Sequence, residues 1–298
     1  MNLKGLLSLF VVYIVWGSTY LAIRIGVKEG SGVPPFTFAM IRLLVASGIL
    51  FLMAFLMKKR IRPTKKELII LLFSGVLLWN GGNGIVMWAE QKVDSGYAAL
   101  MMGTMTIWVS LIERLLDRKR ITLTLVMSLI SGFIGIALLN LKALIKLDVE
   151  SIVYLIFLLL AAISWGSGTL IQGRKKSNLN PLVSSAYQQL AGGIGFAVMK
   201  LIFNEPTPYF SFETALALIY LIIFGSVIAF TAFVVALKTL PSGIVMTYAY
   251  VNPVIALLLG WIVLDEKITF LTISGTILIL LGVTGIFKER YGKKAGNV

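Results

Sequence analysis

A chain of 298 residues that is 58% apolar and only 13% charged, with a mean hydropathy of +0.93, is too oily for a soluble domain. It contains neither Cys nor His, which excludes disulfides, thiolate metal sites and the usual imidazole proton relay. Its net charge of +14 would suit nucleic acid only if the basic residues shared one face, and they are spread over loop after loop.

A bilayer core about 30 Å thick needs roughly 20 apolar residues per helix. Ten such segments follow one another, at approximately 3–25, 35–57, 67–89, 94–116, 121–141, 151–172, 181–203, 212–236, 242–264 and 269–288. The loops between them are short, so no soluble domain fits. The first segment is too long for the apolar core of a signal peptide, and no small-x-small cleavage site precedes a soluble body. It carries Trp16 and Tyr20 within "WGSTYLAIR".

The second segment opens on Pro35, a residue suited to the first turn of a helix, and has Arg42 seven residues further on. An arginine at the centre of a membrane helix costs roughly 2.5–3.5 kcal/mol on insertion scales, so it should face the bundle interior with a partner. Glu90 is one candidate. The carboxylate of a substrate, matched by the planar guanidinium fork, is the other.

The third segment runs from "LIILLFSGVLL" into "WNGGNGIVMWAEQ", residues 79–91. Asn and Gly are poor helix formers. At helical spacing Asn80, Asn83, Met87 and Glu90 share a face, with Gly82 and Val86 on the opposite side. Gly81, Gly82 and Gly84 permit a kink or close packing. This face reads as the wall of a cavity, or else as asparagines bonding a neighbouring helix with Trp79 and Trp88 as packing.

Segment 4 holds Trp108, and also Glu113 beside Arg114 near its cytoplasmic end, where pairing and snorkelling outweigh proton coupling. Segment 6 holds Trp165, and segment 7 opens on Pro181 and holds Gln188. Segment 9 holds Tyr248, Tyr250 and Asn252-Pro253, and the proline marks a candidate hinge. The aromatic residues either stack on a substrate or pack the bundle. Segments 5 and 10 have no charge in their cores and carry Gly132-x-x-Gly135 and Gly282-x-x-Gly285, spacings that let helices approach closely.

With the N-terminus in the cytoplasm, nineteen of the 27 basic residues fall on cytoplasmic segments and seven on outer ones, Arg42 alone being intramembrane. This positive-inside bias predicts both termini in the cytoplasm and an even number of spans. The surplus suits an anionic-lipid membrane.

The chain also repeats itself. "WGSTYLAIR" at Trp16 recurs as "WGSGTLIQG" at Trp165, and "SGYAAL" at Ser95 as "SGIVMT" at Ser242. From Ser95 to Gly135 the halves align without a gap at an offset of 147, and Arg42 and Gln188 each stand seven residues after the proline of their half. Residues 1–145 and 146–298 are therefore expected to be two copies of five spans each. Five is odd, so the second copy enters the membrane inverted. Inverted repeats put a substrate site near the midplane, between the halves. Duplication for packing alone is the other reading.

These landmarks resemble the EamA branch of the drug/metabolite transporter superfamily. The resemblance rests on "VWGSTYLAIRIG", "PPFTFAMIRLLVASGILF", "GNGIVMWAEQKVDSGYAAL", "YAYVNPVIALLLGWIVLDEKIT" and "GTILILLGVTGIF", in order across nearly the whole chain. The Asn-Gly-x-x-x-Trp-Ala-Glu-Gln string is similar to a subgroup of metabolite and amino-acid exporters. The resemblance implies an all-α membrane protein of ten transmembrane helices, built as two inverted five-helix repeats around a central cavity. Segments 5 and 10 would lie outside it. The chain departs from the pattern in having Met105-Thr106 where the second half has Asn252-Pro253.

The expected function is a secondary active transporter of the plasma (inner) membrane that exports small organic solutes, amino acids or related metabolites and drugs, by alternating access. A lipid flippase or channel-like permeation protein is the alternative. No P-loop is present, and no His-Glu-x-x-His, Cys nucleophile or carboxylate cluster points to an enzyme. No metal, cofactor or nucleic-acid partner is expected. The lipid bilayer is the solvent. Proton coupling would have to use Glu90, Glu113 or Asp94, and monomer and homodimer both stay open. The expected substrate contacts are Trp16, Tyr20, Arg42, Asn80, Asn83, Glu90, Trp108, Trp165, Gln188, Tyr248 and Asn252.

Overall fold

A computed structural model describes residues 2–27, 30–89, 91–92, 95–139, 141, 145, 149–175, 178–264 and 268–291, and among these the regular structure is helical, without a strand. Helix α1 spans Leu3–Val27 and α2 Pro35–Leu56. Helix α3, Lys65–Val76, widens into a π-helical stretch, π1, over Leu77–Gly84, and continues as α4, Ile85–Ala89. Then come α5, Ser95–Gly103, α6, Met105–Leu116, α7, Leu123–Leu139, α8, Val149–Arg174, and α9, Pro181–Ile202. Helix α10, Phe212–Tyr220, widens into a second stretch, π2, over Leu221–Ala229, and continues as α11, Phe230–Thr239. The chain closes with α12, Ser242–Val245, α13, Tyr248–Leu264, and α14, Phe270–Tyr291.

Local chemistry sets the helix ends. Pro35 and Pro181 occupy first turns. The orphan N–H groups of Phe36 and Thr37 donate to the Glu205 carboxylate at 2.8 and 2.7 Å, where a negative charge suits a helix N-terminus. Thr64 and Glu67 form a reciprocal capping box at the start of α3. Three helices stop on left-handed residues, Lys58, Arg118 and Asn204, with φ of 51°, 51° and 48°. The following N–H closes each end by bonding back five residues, as Lys59 does to Ala54 at 2.9 Å.

Among the described residues, five helices are long and apolar enough to cross a membrane: Pro35–Leu56, Lys65–Ala89, Val153–Arg174, Phe212–Thr239 and Phe270–Glu289. The bundle buries a set of polar side chains within its apolar core and exposes apolar ones on its outside. Arg42, Asn80, Gln188, Gln189, Ser226 and Asn252 are buried, while Leu7, Phe10, Phe55, Ile69, Phe73 and Ile273 are exposed. Such a surface would aggregate in water, and in a bilayer it meets lipid.

The pairings have a pattern. Helix α2 packs along α9, and α7 along α14. Helix α3 with π1 packs on α8, and π2 with α11 packs on α1. Exchanging the halves of the chain leaves the first two pairs in place and interchanges the other two. Along α7 and α14 the backbones touch. A Cβ on Gly135 would lie 2.6 Å from the Gly275 carbonyl, and one on Gly282 would lie 2.7 Å from the Gly132 nitrogen. The glycine spacings in segments 5 and 10 are therefore contact surfaces for each other.

The helix is not broken at Pro253, the candidate hinge. Helix α13 runs through Pro253 without a break, and the interruption precedes it at Met246 and Thr247. In the first half the matching segment breaks at Thr104, whose Oγ1 donates to the Met101 carbonyl at 2.6 Å. That hydroxyl bond competes with the helical ladder and does locally what a proline would do.

Candidate substrate cavity

The repeated tryptophans meet at the centre of the bundle. Trp16 of α1 and Trp165 of α8 stand edge to face with centroids 5.7 Å apart. Tyr248 of α13 lies 4.8 Å from Trp16, and Trp79 of π1 lies 5.8 Å from Trp165. These four rings line a cavity with a free volume of about 70 Å³. Arg42 of α2, Asn83 of π1 and Asn252 of α13 supply its polar wall, and Thr19, Ile23, Val86, Met102 and Met105 complete it. Both halves of the chain thus contribute to one wall.

Arg42 is buried, 3% exposed. Its Nε donates to Ser226 Oγ at 2.9 Å, and its Cζ lies 5.3 Å over the Trp79 ring. A desolvated cation on an indole face is worth about 2 kcal/mol or more. Nη1 is buried without an acceptor. No described carboxylate pairs with Arg42, and its expected partner Glu90 lies outside the described residues, as does Asp94.

The two π stretches build this neighbourhood. A widened turn releases backbone carbonyls from the helical ladder, and side chains take them up. Ser164 Oγ donates to the Leu77 carbonyl at 2.9 Å in π1. In π2, Trp16 Nε1 donates to the Gly225 carbonyl and Gln189 Nε2 to the Ser226 carbonyl, both at 3.1 Å. Gly225 has no side chain to fill the space beside the guanidinium. Asn252, with its amide turned so that nitrogen faces the carbonyls of Tyr248 and Tyr13, donates to them at 3.0 and 3.2 Å.

The face of the third segment is rotated from the one expected. Trp79, Asn83 and Val86 line the cavity, whereas Asn80 turns to α9, where its Nδ2 donates to the Gly192 carbonyl at 3.0 Å. The cause is small residues opposite: a Cβ on Gly195 would overlap the Asn80 carboxamide, so the amide nests against bare backbone. Met87 is fully buried and outside the cavity wall, and Val86, expected on the far side, is inside it. Gly82 lets Trp165 approach, since a Cβ there would lie 2.8 Å from the indole.

Two more expected contacts stand apart from the cavity. Gln188 donates to Ser74 Oγ at 2.8 Å and joins α9 to α3. Trp108 is half-buried on α6, and its indole nitrogen has no acceptor. The side chain of Tyr20 lies outside the described residues, although its backbone continues α1. Ser226, which orients Arg42, went unnoticed in the sequence. Its signal was the Gly225-Ser226 pair inside an otherwise oily run, a pairing that distorts helices. At the C-terminal end of α6, Arg114 pairs with Glu289 of α14 at 2.5 Å, and Arg174 with Asp117 at 2.6 Å. The Arg174 guanidinium and then Lys119 hold the Asp117 carboxyl below its usual range.

An aromatic-walled cavity with one guanidinium, in a bundle whose outside is apolar, is the architecture of a membrane protein. The EamA-like transporter family model matches the chain twice, over residues 3–141 and 152–288, and the chain belongs to that family. It is 35% identical over 255 residues to YedA, an uncharacterized inner membrane transporter of Escherichia coli strain K12, covering 85% of this chain and 80% of that one. It is 25% identical over 281 residues to YoaV, an uncharacterized transporter of Bacillus subtilis strain 168, covering 94% and 95%. A solved crystal structure with 17% identity superimposes with a TM-score of 0.80 over 97% of this chain and 99% of that one, which shows a shared fold.

Proposed function

We propose that the protein is a secondary active transporter that exports small organic solutes, amino acids or related metabolites and drugs, by alternating access. Its ten spans form two inverted five-helix repeats, residues 1–145 and 146–298, in the plasma membrane with both termini cytoplasmic. The observation that carries this reading is the central cavity, to which α1, α2 and π1 of one half and α8 and α13 of the other all contribute. The exchange symmetry of the helix pairings supports the inverted repeat, as does a π stretch in the third segment of each half. The expected substrate contacts that line the cavity are Trp16, Arg42, Asn83, Trp165, Tyr248 and Asn252. Asn80, Gln188 and Trp108 support the wall from behind or lie away from it.

A free volume of about 70 Å³ is smaller than the roughly 300–1,000 Å³ of ligand pockets, so the carrier must widen to load. Counterflow in proteoliposomes, with labelled amino acids and organic acids outside and the same solutes inside, tests the function. Saturable exchange is expected. Phospholipid scrambling without solute exchange would replace this reading with the flippase. Reporters fused after residue 298 should be active only in their cytoplasmic form.

A further inference from the structure

Several residues of the cavity wall carry a buried hydrogen-bond donor without a partner. Three lining residues hold a buried N–H with no acceptor: Arg42 Nη1, Trp79 Nε1 and Trp165 Nε1. No lining residue holds a buried acceptor without a donor. Natural interiors pair nearly all such groups, so three orphan donors around one space call for a ligand rich in acceptors. A buried guanidinium with no described carboxylate beside it adds the charge such a ligand must carry.

We propose that the cavity recognises the carboxylate of a small organic monoanion with an apolar or aromatic body, anchored by Arg42; this rests on the transporter reading and narrows its substrate class. Ser226 takes Nε and Trp79 takes the guanidinium face, which fixes the plane of the fork and leaves the Nη groups for the ligand. A fork so held matches two carboxylate oxygens. Met102 and Met105 form the apolar wall. Their unbranched thioethers repack readily, which lets the body of the solute enter where about 70 Å³ is free. The same guanidinium disfavours an ammonium in the cavity, because like charges in a desolvated site repel strongly.

Benzoate, benzamide and benzylammonium share one shape and differ in charge, so they test the proposal on the full chain in detergent. The readouts are the thermal midpoint of the wild type and protection of Asn83→Cys from a hydrophilic thiol reagent, clean because the chain has no Cys. Benzoate should raise the midpoint and slow labelling saturably. Benzamide should need at least about tenfold more, the worth of one charged hydrogen bond, and benzylammonium should do neither. Arg42→Gln should erase the advantage of benzoate over benzamide. Ser226→Ala, which leaves the charge but frees Nε, should weaken benzoate several-fold and serves if Arg42→Gln does not fold. Equal binding of benzamide and benzoate by the wild type, no response to benzoate, or an advantage that survives Arg42→Gln would overturn the proposal. Protection and counterflow by benzylammonium alone would sink the anion site and leave a transporter. Benzoate protection with no counterflow of any solute would keep the anion site and sink transport.

Discussion

Glu289→Gln should destabilise the protein more than neutralisation of the more exposed Asp117. Arg114 and Glu289 stand 2.5 Å apart with side-chain exposures of only 9% and 6%, and Arg114 Nη1 also donates to the Arg120 carbonyl at 2.6 Å. The variant keeps the shape and removes the charge, leaving a buried guanidinium facing an amide. Removing one partner of a buried pair costs about 3–5 kcal/mol. At the roughly 2 °C per kcal/mol of a large domain, the thermal midpoint in detergent should fall by about 6–10 °C. Converting both residues to Met removes the charges together and should recover most of the loss, because a buried pair is often worth no more than an apolar one. A midpoint for Glu289→Gln within about 1 °C of wild type would refute the argument. It would mean that the pair is solvated and in the class of surface bridges worth about 0–1 kcal/mol.

Cysteine at position 83 should react with a small hydrophilic thiol reagent much faster than cysteine at 80 or 87, since Asn80 and Met87 are 5% and 0% exposed and packed away from the cavity; labelling rates side by side decide it. Gly135→Leu should lower the thermal midpoint by the equivalent of at least about 1–3 kcal/mol, because its Cβ would meet the Gly275 carbonyl at 2.6 Å, whereas Gly48→Leu, which meets nothing within 4 Å, should leave it nearly unchanged. The Asp117–Arg174 bridge makes stability depend on acidity. A depressed carboxyl contributes fully above its unfolded pKa, about 3.9, and loses that contribution as pH falls through its lower folded value. Midpoints of wild type and Asp117→Asn measured from neutral to acid pH should therefore converge in acid.

The central rings and Arg42 were legible in the sequence because membrane chemistry makes them costly: a charge or a repeated Trp in oil needs a reason. The face of the third segment that lines the cavity differs from the one periodicity groups. Helical periodicity groups Asn80 with Asn83, but the notch at Gly192 and Gly195 on another helix draws Asn80 aside, and a single-helix pattern contains no information about the surface it meets. The π stretches were equally hidden, since a widened turn is stabilised by Ser164, Trp16 and Gln189 from elsewhere in the chain. Pro253 misled in the opposite sense. The helix runs through it, and the break falls at Met246 and Thr247. The capping of α2 by Glu205 depends on a loop 168 and 169 residues away, beyond the reach of local pattern.

The tightness of the aromatic centre sets the terms on which anything can move through it. The contacts Trp16–Tyr248, Trp16–Trp165 and Trp79–Trp165, with centroids 4.8, 5.7 and 5.8 Å apart, tie α1, π1, α8 and α13 into one knot. A solute that passes between these rings must part them, so each passage is tied to a relative shift of helices from both halves of the chain.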